Sequence, residues 1–374
     1  MDERLYWLGF SVFPGIGPVR FKKLLSVFGT AKDAWNASLP DLKKSKIGDS
    51  ISMSLDKFRI EFSLAGYYER LKKQGCWYLI LQDKEYPKLL SQIKNPPFVL
   101  YGKGNAGILQ EDKFIAIVGT RKITQYGRQV TQMVAKDLVE AGFVIVSGLA
   151  VGVDSVAHAT TVENDGKTIA VLGSGVDCCS PASNISLYRK IIESGGVIVS
   201  EFPLGKEPMK GAFPSRNRII AGLSLGVVVT EGTDDSGSLI TAKDAFENNR
   251  KVFAIPGPIT SVYSKGPNSL FARGGIAVIE ARDILQALGF GNNISVKFGS
   301  SESGGVPPSL KLRRAKGETK EEQIILDLLQ EPKHVDILIK ATNIPAAKMG
   351  MILSLMEMKG LVRNMGGGIF AAVT

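Results

Sequence analysis

The chain has 374 residues, 44% of them hydrophobic, with 46 Lys plus Arg against 36 Asp plus Glu, a formal net charge of +10. That length predicts two or three domains with a sizeable core, and no apolar run is long enough to span a bilayer. Three cysteines (Cys76, Cys178, Cys179) and two histidines (His158, His334) exclude a zinc or histidine-rich metal site. More than half of the basic excess falls in residues 1–100, and a basic balance favours polyanionic partners.

The start, MDERLYWLGF, lacks the basic, apolar and cleavage-site order of a signal peptide, so a cytoplasmic protein is expected, with no membrane partner. Residues 1–70 predict a small helical domain. Apolar positions recur at helical spacing in Leu5, Leu8 and Val12, and again in Phe21, Leu24, Leu25 and Phe28. Between them lies Phe13-Pro14-Gly15-Ile16-Gly17-Pro18, ahead of Arg20, Lys22 and Lys23. This is similar to the phosphate-binding turn of a helix–hairpin–helix, where helix-start amides face the DNA backbone. A buried turn in a protein-docking domain is the alternative.

Residues 75–290 change character. Apolar runs at Phe114–Val118, Phe143–Val146, Thr168–Leu172, Val197–Val199, Val227–Val229, Val252–Ile255 and Ala277–Ile279 alternate with helix-length segments. Runs that are continuous rather than alternating predict burial on both faces. The expected fold class is α/β: a Rossmann-like, doubly wound, mostly parallel sheet. Residues 291–316 lose all periodicity and read as a flexible linker. Residues 317–374 predict three helices, Glu321–Leu329, Val335–Ala341 and Ala346–Met358, then a glycine-turn hairpin, which is a winged-helix pattern.

In an open α/β sheet ligands bind beyond the carboxyl ends of the strands. The segments following the runs are rich in small residues: Gly119-Thr120-Arg121-Lys122, Ser147-Gly148, Gly173-Ser174 and Thr230-Glu231-Gly232. Such loops let a ligand approach the backbone and offer helix-start amides to anions. Tight turns alone would also account for single glycines; the repetition beside Arg121 predicts a phosphate-binding rim. A second basic cluster, Phe213-Pro214-Ser215-Arg216-Asn217-Arg218, offers guanidinium groups for phosphates and Phe213, with Phe202, for base stacking. Arginines capping structure at a strand entrance are the alternative. Lys167 and Lys243 join the candidate site only through charge near the same rim.

No cofactor is expected. Gly119-Thr-Arg-Lys-Ile-Thr124 lacks the second and third glycines of the dinucleotide fingerprint, Gly173-Ser-Gly-Val-Asp-Cys178 lacks the third, and no P-loop is present. Catalytic constellations are thin. Asp154 and His158 are four apart, but a capping Asp and a buried His account for them without chemistry.

Taken together, Val118-Gly-Thr-Arg121, Ser147-Gly-Leu-Ala-Val-Gly-Val-Asp154 with Ala157-His158, Ser200-Glu-Phe-Pro203, Phe213 through Arg218 with Ile220-Ala-Gly-Leu-Ser224, Thr230-Glu231 through Thr241, and Lys265-Gly-Pro-Asn268 resemble the DNA-processing protein A family, DprA or Smf. The resemblance covers essentially the whole chain. It implies a sterile-alpha-motif-like N-terminal region and a C-terminal winged helix. It also implies a core that binds single-stranded DNA and dimerises, protection of incoming strands in natural transformation, and loading of the recombinase RecA. The family's glycine-Ser/Thr-arginine contact falls on Arg121, and its Arg-Asn-Arg segment on Arg216, Asn217 and Arg218.

Two other readings remain. The core is also similar to lysine-decarboxylase-like nucleotide phosphoribohydrolases, which carry Pro-Gly-Gly-x-Gly-Thr and a cleaving glutamate; here Thr230-Glu-Gly-Thr-Asp-Asp-Ser-Gly237 stands instead, which disfavours an enzyme. A duplex-DNA regulator would need a charged reading helix, and Ala346–Met358 is mainly apolar.

Overall fold

Six helices open the chain: α1 (Glu3–Val12), α2 (Pro18–Phe28), α3 (Ala31–Asn36), α4 (Leu39–Lys44), α5 (Asp49–Glu61) and α6 (Leu64–Lys73). The side chains of Asp2, Thr30, Ser38 and Ser63 each accept a first-turn amide and so fix where four of them begin. Their buried faces are aromatic. Trp7 meets Phe21 edge-on with ring centroids 4.7 Å apart, and Phe21 stacks at 4.1 Å on Phe98, beyond the helices. One apolar cluster therefore runs from Trp7 and Phe10 to Tyr101, Leu172 and Ile198. Among the described residues, the helices and the sheet fall in one compact unit and share this cluster. The computed structural model describes residues 2–209, 211–290, 319–329, 332–342, 344–359 and 361–372. The expected linker, 291–316, lies outside these.

The core then alternates strand and helix. In order come β1 (Cys76–Ile80), α7 (Lys88–Ser91), β2 (Val99–Gly104), β3 (Phe114–Val118), α8 (Gln125–Glu140), β4 (Val144–Ser147), α9 (Val153–Glu163), β5 (Thr168–Val171), α10 (Ile185–Glu193) and β6 (Val197–Ser200). They are followed by α11 (Ala212–Leu223), β7 (Gly226–Val229), α12 (Gly237–Glu247), β8 (Lys251–Ala254), α13 (Lys265–Phe271), β9 (Ile276–Ala277) and α14 (Ala281–Ala287). Six of the seven apolar runs form strands of one nine-stranded sheet, and the last, Ala277–Ile279, contributes only Ala277 to β9; the order is β1-β2-β6-β5-β4-β3-β7-β8-β9. From β6 to β9 every pairing is parallel. Strands β3, β4, β5 and β7 are buried at every position, which is why their sequences do not alternate.

Two strands were not anticipated. β1 and β2 pair antiparallel with each other, and β2 pairs antiparallel with β6. Gly102 interrupts the apolar pattern of β2 for a steric reason: a Cβ there would lie 2.1 Å from the indole of Trp77, whose Nε1 donates to the Gly104 carbonyl at 2.9 Å.

The chain winds outward in both directions from the neighbouring strands β3 and β7. This is a topological switch point, where a crevice opens at the carboxyl edge of the sheet.

The second unit contains α15 (Lys320–Leu328), β10 (Lys333–His334), α16 (Val335–Thr342), α17 (Ala346–Met358), β11 (Val362–Gly366) and β12 (Ile369–Ala372). Three helices and a β10-β12-β11 sheet make the expected winged helix around Ile325, Leu338, Met349, Leu353 and Val362. Among the described residues no helix is long and apolar enough to cross a membrane.

Candidate nucleic-acid interface

At the switch point lies a cavity of about 490 Å³ lined by Arg121, Lys122, Asp154, Phe213, Arg216 and Asn217, with Ser236, Gly237 and Tyr263 on its far side. Its front wall is the loop after β3. A Cβ at Gly119 would come within 2.6 Å of Val153 and 2.8 Å of the Glu231 carbonyl, so only glycine allows this close approach. Thr120 donates its amide to the Glu231 carbonyl at 2.7 Å, and its hydroxyl oxygen accepts the Lys122 amide at 3.1 Å. The Glu231 carboxylate, almost fully buried, accepts the amide and hydroxyl of Thr124, the N-cap of α8, at 2.9 and 2.6 Å. A negative charge at a helix start is stabilising. Glu231 thus holds the Arg121 loop from beneath and is engaged in structure.

Arg121 is exposed, with its guanidinium over the Phe213 ring, 5.1 Å from the centroid. Arg216 differs: it is 5% exposed. Its Nη1 donates to the Val171 carbonyl at 3.1 Å, its Nε has no partner, and the Asp154 carboxylate stands 4.0 Å away. Gly148 is its seat, since a Cβ there would fall 1.3 Å from Nη1. Asp154 is shared with the Gly148 and Ala150 amides, at 3.2 and 3.3 Å. Burial pushes the Asp154 carboxyl above its ordinary value, against the pull of Arg216. Burial pulls Arg216 below its ordinary value; Asp154 opposes this and nearby Arg121 adds to it. Two guanidinium groups therefore converge on one cavity, and the deeper one is only partly neutralised. Such a group gains from a further anion.

The other expected site residues separate. Asn217 lines the cavity and donates from Nδ2 to the Gly237 carbonyl at 3.2 Å, tying α11 to α12. Arg218 is turned away: it forms an ion pair with Glu201 and donates to the Asn95 carbonyl at 2.6 Å. The segment is helical rather than a strand entrance, and a spacing of two on a helix places side chains on opposite faces. Ser147 and Ser174 are fully buried and donate to the Ile117 and Cys178 carbonyls, at 2.6 and 2.7 Å. Gly173 packs under Phe213, whose ring edge would lie 3.3 Å from a Cβ there.

Lys167 precedes β5 at the amino edge of the sheet and pairs with Glu111 at 2.9 Å; it is away from the cavity. Lys243 lies two turns into α12, exposed and 3.7 Å from Glu247, and does not line the cavity. Lys122, Asp235 and Tyr263 line it and were not singled out; only the position of Lys122 beside Arg121 carried a signal.

His158 is fully buried. The Thr168 hydroxyl donates to the Ile145 carbonyl at 2.6 Å, so it accepts from His158 Nδ1, 2.7 Å away. Burial drops the imidazole to about 3 and keeps it neutral. In the second unit, Met351 and Leu355 are exposed on α17, while Lys348 and Lys359 pair with Glu321 and Glu322 at 2.6 and 2.9 Å.

The sequence family described as DNA recombination-mediator protein A matches residues 77–289, and the DprA winged helix domain matches 310–368. The chain belongs to the DprA/Smf family. It is 33% identical to the protein Smf of Synechocystis over 98% of both chains. It is 42% identical to the DNA processing protein DprA of Bacillus subtilis over 60% of this chain and 74% of that one. Among solved structures, DprA from Streptococcus pneumoniae superposes with a TM-score of 0.66 at 34% identity, covering 76% of this chain and 97% of that one. The Helicobacter pylori homologue, described by its single-stranded DNA binding mode, gives 0.51 at 31% identity, covering 56% and 95%.

Proposed function

We propose that this DprA/Smf chain binds single-stranded DNA in the switch-point cavity, without catalysis. Arg121 and Arg216 hold backbone phosphates and Phe213 stacks on a base. The observation that carries the reading is the buried, partly neutralised Arg216 beneath exposed Arg121, on a floor that only Gly148 accommodates. Binding through phosphates and ring faces is independent of sequence and weakens with salt. The single-strand binding mode of the Helicobacter pylori homologue supports the same ligand.

The further roles follow from the family resemblance. The chain acts in the cytoplasm as a homodimer through its core, protects incoming strands in natural transformation and loads RecA. The family's description as a recombination mediator supports a role in DNA recombination. The nucleotide-hydrolase alternative lacks its Pro-Gly-Gly-x-Gly-Thr motif, in whose place stands Thr230 through Gly237, with Glu231 bound to Thr124.

A competition titration tests the ligand. Unlabelled single strands of any sequence should displace a labelled oligonucleotide, and duplex of equal length should not. Displacement by duplex alone, or turnover of free nucleotides, would overturn the reading. RecA loading is tested by whether the chain speeds RecA filament growth on strands coated with single-strand-binding protein.

A further inference from the structure

We propose that the groove between the N-terminal helices and the sheet rim is a second single-strand subsite. It takes a nucleobase against its apolar lining and the adjoining phosphate at the start of α2. This rests on the reading of the cavity given above.

The groove has a volume of about 310 Å³ and is lined by Phe13, Ile16 and Pro18 on one side and by Pro97, Phe98 and Phe202 on the other, with Lys206 at its edge. Its outer wall follows β6, so it opens on the same carboxyl edge as the cavity. One loop, residues 173–177, touches a lining residue of each depression: Lys206 of the groove and Phe213 of the cavity. Gly175 donates its amide to the Lys206 carbonyl at 2.8 Å, and Gly205 donates to the Asp177 carboxylate at 2.9 and 3.0 Å. The same loop begins at Gly173, against Phe213. A strand leaving the Phe213 side of the cavity meets the groove next.

The inner wall is the Pro14–Pro18 turn, which Arg20 braces by donating to the Gly15 and Ile47 carbonyls at 2.9 and 3.1 Å. The first helical bond of α2 runs from the Phe21 amide to the Gly17 carbonyl at 2.9 Å, so the Val19 and Arg20 amides precede the ladder. Gly17 provides no side-chain cap. Lys22 and Lys23 are exposed one turn on. Glu201, the acidic group in the lining, is only partly exposed and is paired with Arg218. An apolar slot with Lys206 in its lining, on the same sheet edge as a phosphate site, matches the alternating ring and phosphate of a single strand.

Gly17→Asp tests this without threatening the fold. Gly17 has φ −96° and ψ −178°, extended backbone open to any residue, and a Cβ there meets nothing within 4 Å. Aspartate is a favoured N-cap, so the variant should melt no lower than wild type, yet it occupies the α2 amides and repels phosphate. Affinity for oligothymidylates of about 6 and about 20 nucleotides is measured by anisotropy at several salt concentrations, with Lys206→Glu as a second variant on the opposite wall. For the long strand both variants should bind roughly tenfold more weakly, with a salt slope lower by about 0.7, the loss of one phosphate contact. For the short strand they should match wild type. Wild-type affinity for the long strand in both variants overturns the subsite and leaves the cavity reading standing. Failure of wild type to bind either length overturns both.

Discussion

The guanidinium of Arg121 lies over the ring of Phe213, 5.1 Å from its centroid, so the aromatic face offered to a base is covered by the cation offered to a phosphate. Cation–π contact at an exposed site is worth only about 0.5–1 kcal/mol. A strand that gives Arg121 a phosphate and Phe213 a base replaces it easily. Phe213→Leu should therefore melt close to wild type while losing about 1–3 kcal/mol of single-strand affinity, the value of one stacked base. The loss should vanish on an oligonucleotide whose bases are replaced by abasic sites. An equal loss on abasic strands would show that Phe213 acts by packing instead.

Gly148→Ala should displace Arg216, since the new methyl would fall 1.3 Å from Nη1. Moving a buried cation away from Asp154 should cost about 3–5 kcal/mol of stability, by analogy with breaking a buried pair. Circular-dichroism melts read this directly. Unchanged melting with unchanged DNA affinity would contradict the seating role.

Glu231→Gln should loosen the Arg121 loop. One amide oxygen replaces two acceptors, leaving the Thr124 amide or hydroxyl without a partner, at about 1–3 kcal/mol. Lower melting should come with weaker DNA binding. Retained affinity would mean that the loop holds its shape without this carboxylate.

Two buried groups set opposing pH dependences. His158 titrates at about 3 in the fold against 6.5 unfolded, so between these values the unfolded chain binds more protons. Its contribution is complete above pH 6.5 and is lost as pH falls towards 3. Asp244, raised to about 6 from 3.8 mainly by burial, acts in reverse: its contribution is present below 3.8 and lost as pH rises through 6. Since they offset in the shared window, each needs its own variant. Asp244→Asn should gain stability over wild type as pH rises from 4 to 7, by about 1–2 kcal/mol after solvent screening of this half-buried group. His158→Gln should lose its relative deficit as pH falls. Urea unfolding at several pH values checks both.

The parallel strands were legible because burial on both faces leaves unbroken Val and Ile runs, as in β3 and β7. β1 and β2 were not, because one shows only a short alternation and Gly102 breaks the other to seat Trp77. The rim was legible from its glycines, but their individual purposes were not. Gly148 serves an arginine 68 residues away, a relation no local pattern carries. Arg216 and Arg218 look equivalent in sequence; helical geometry sends one into the cavity and the other to Glu201. Lys167 and Lys243 were chosen on charge, and strand direction and helix length carry them off the rim.

Whether Arg121 meets phosphate above Arg216 is decided by a salt titration of single-strand affinity for wild type and Arg121→Ala. Arg121 is exposed and braces no buried group, so the variant should melt as wild type does. Affinity of the variant should be lower by about tenfold or more, with a salt slope reduced by about 0.7, one phosphate fewer. Identical affinity and slope in both proteins would contradict this contact and move the binding site away from the switch point.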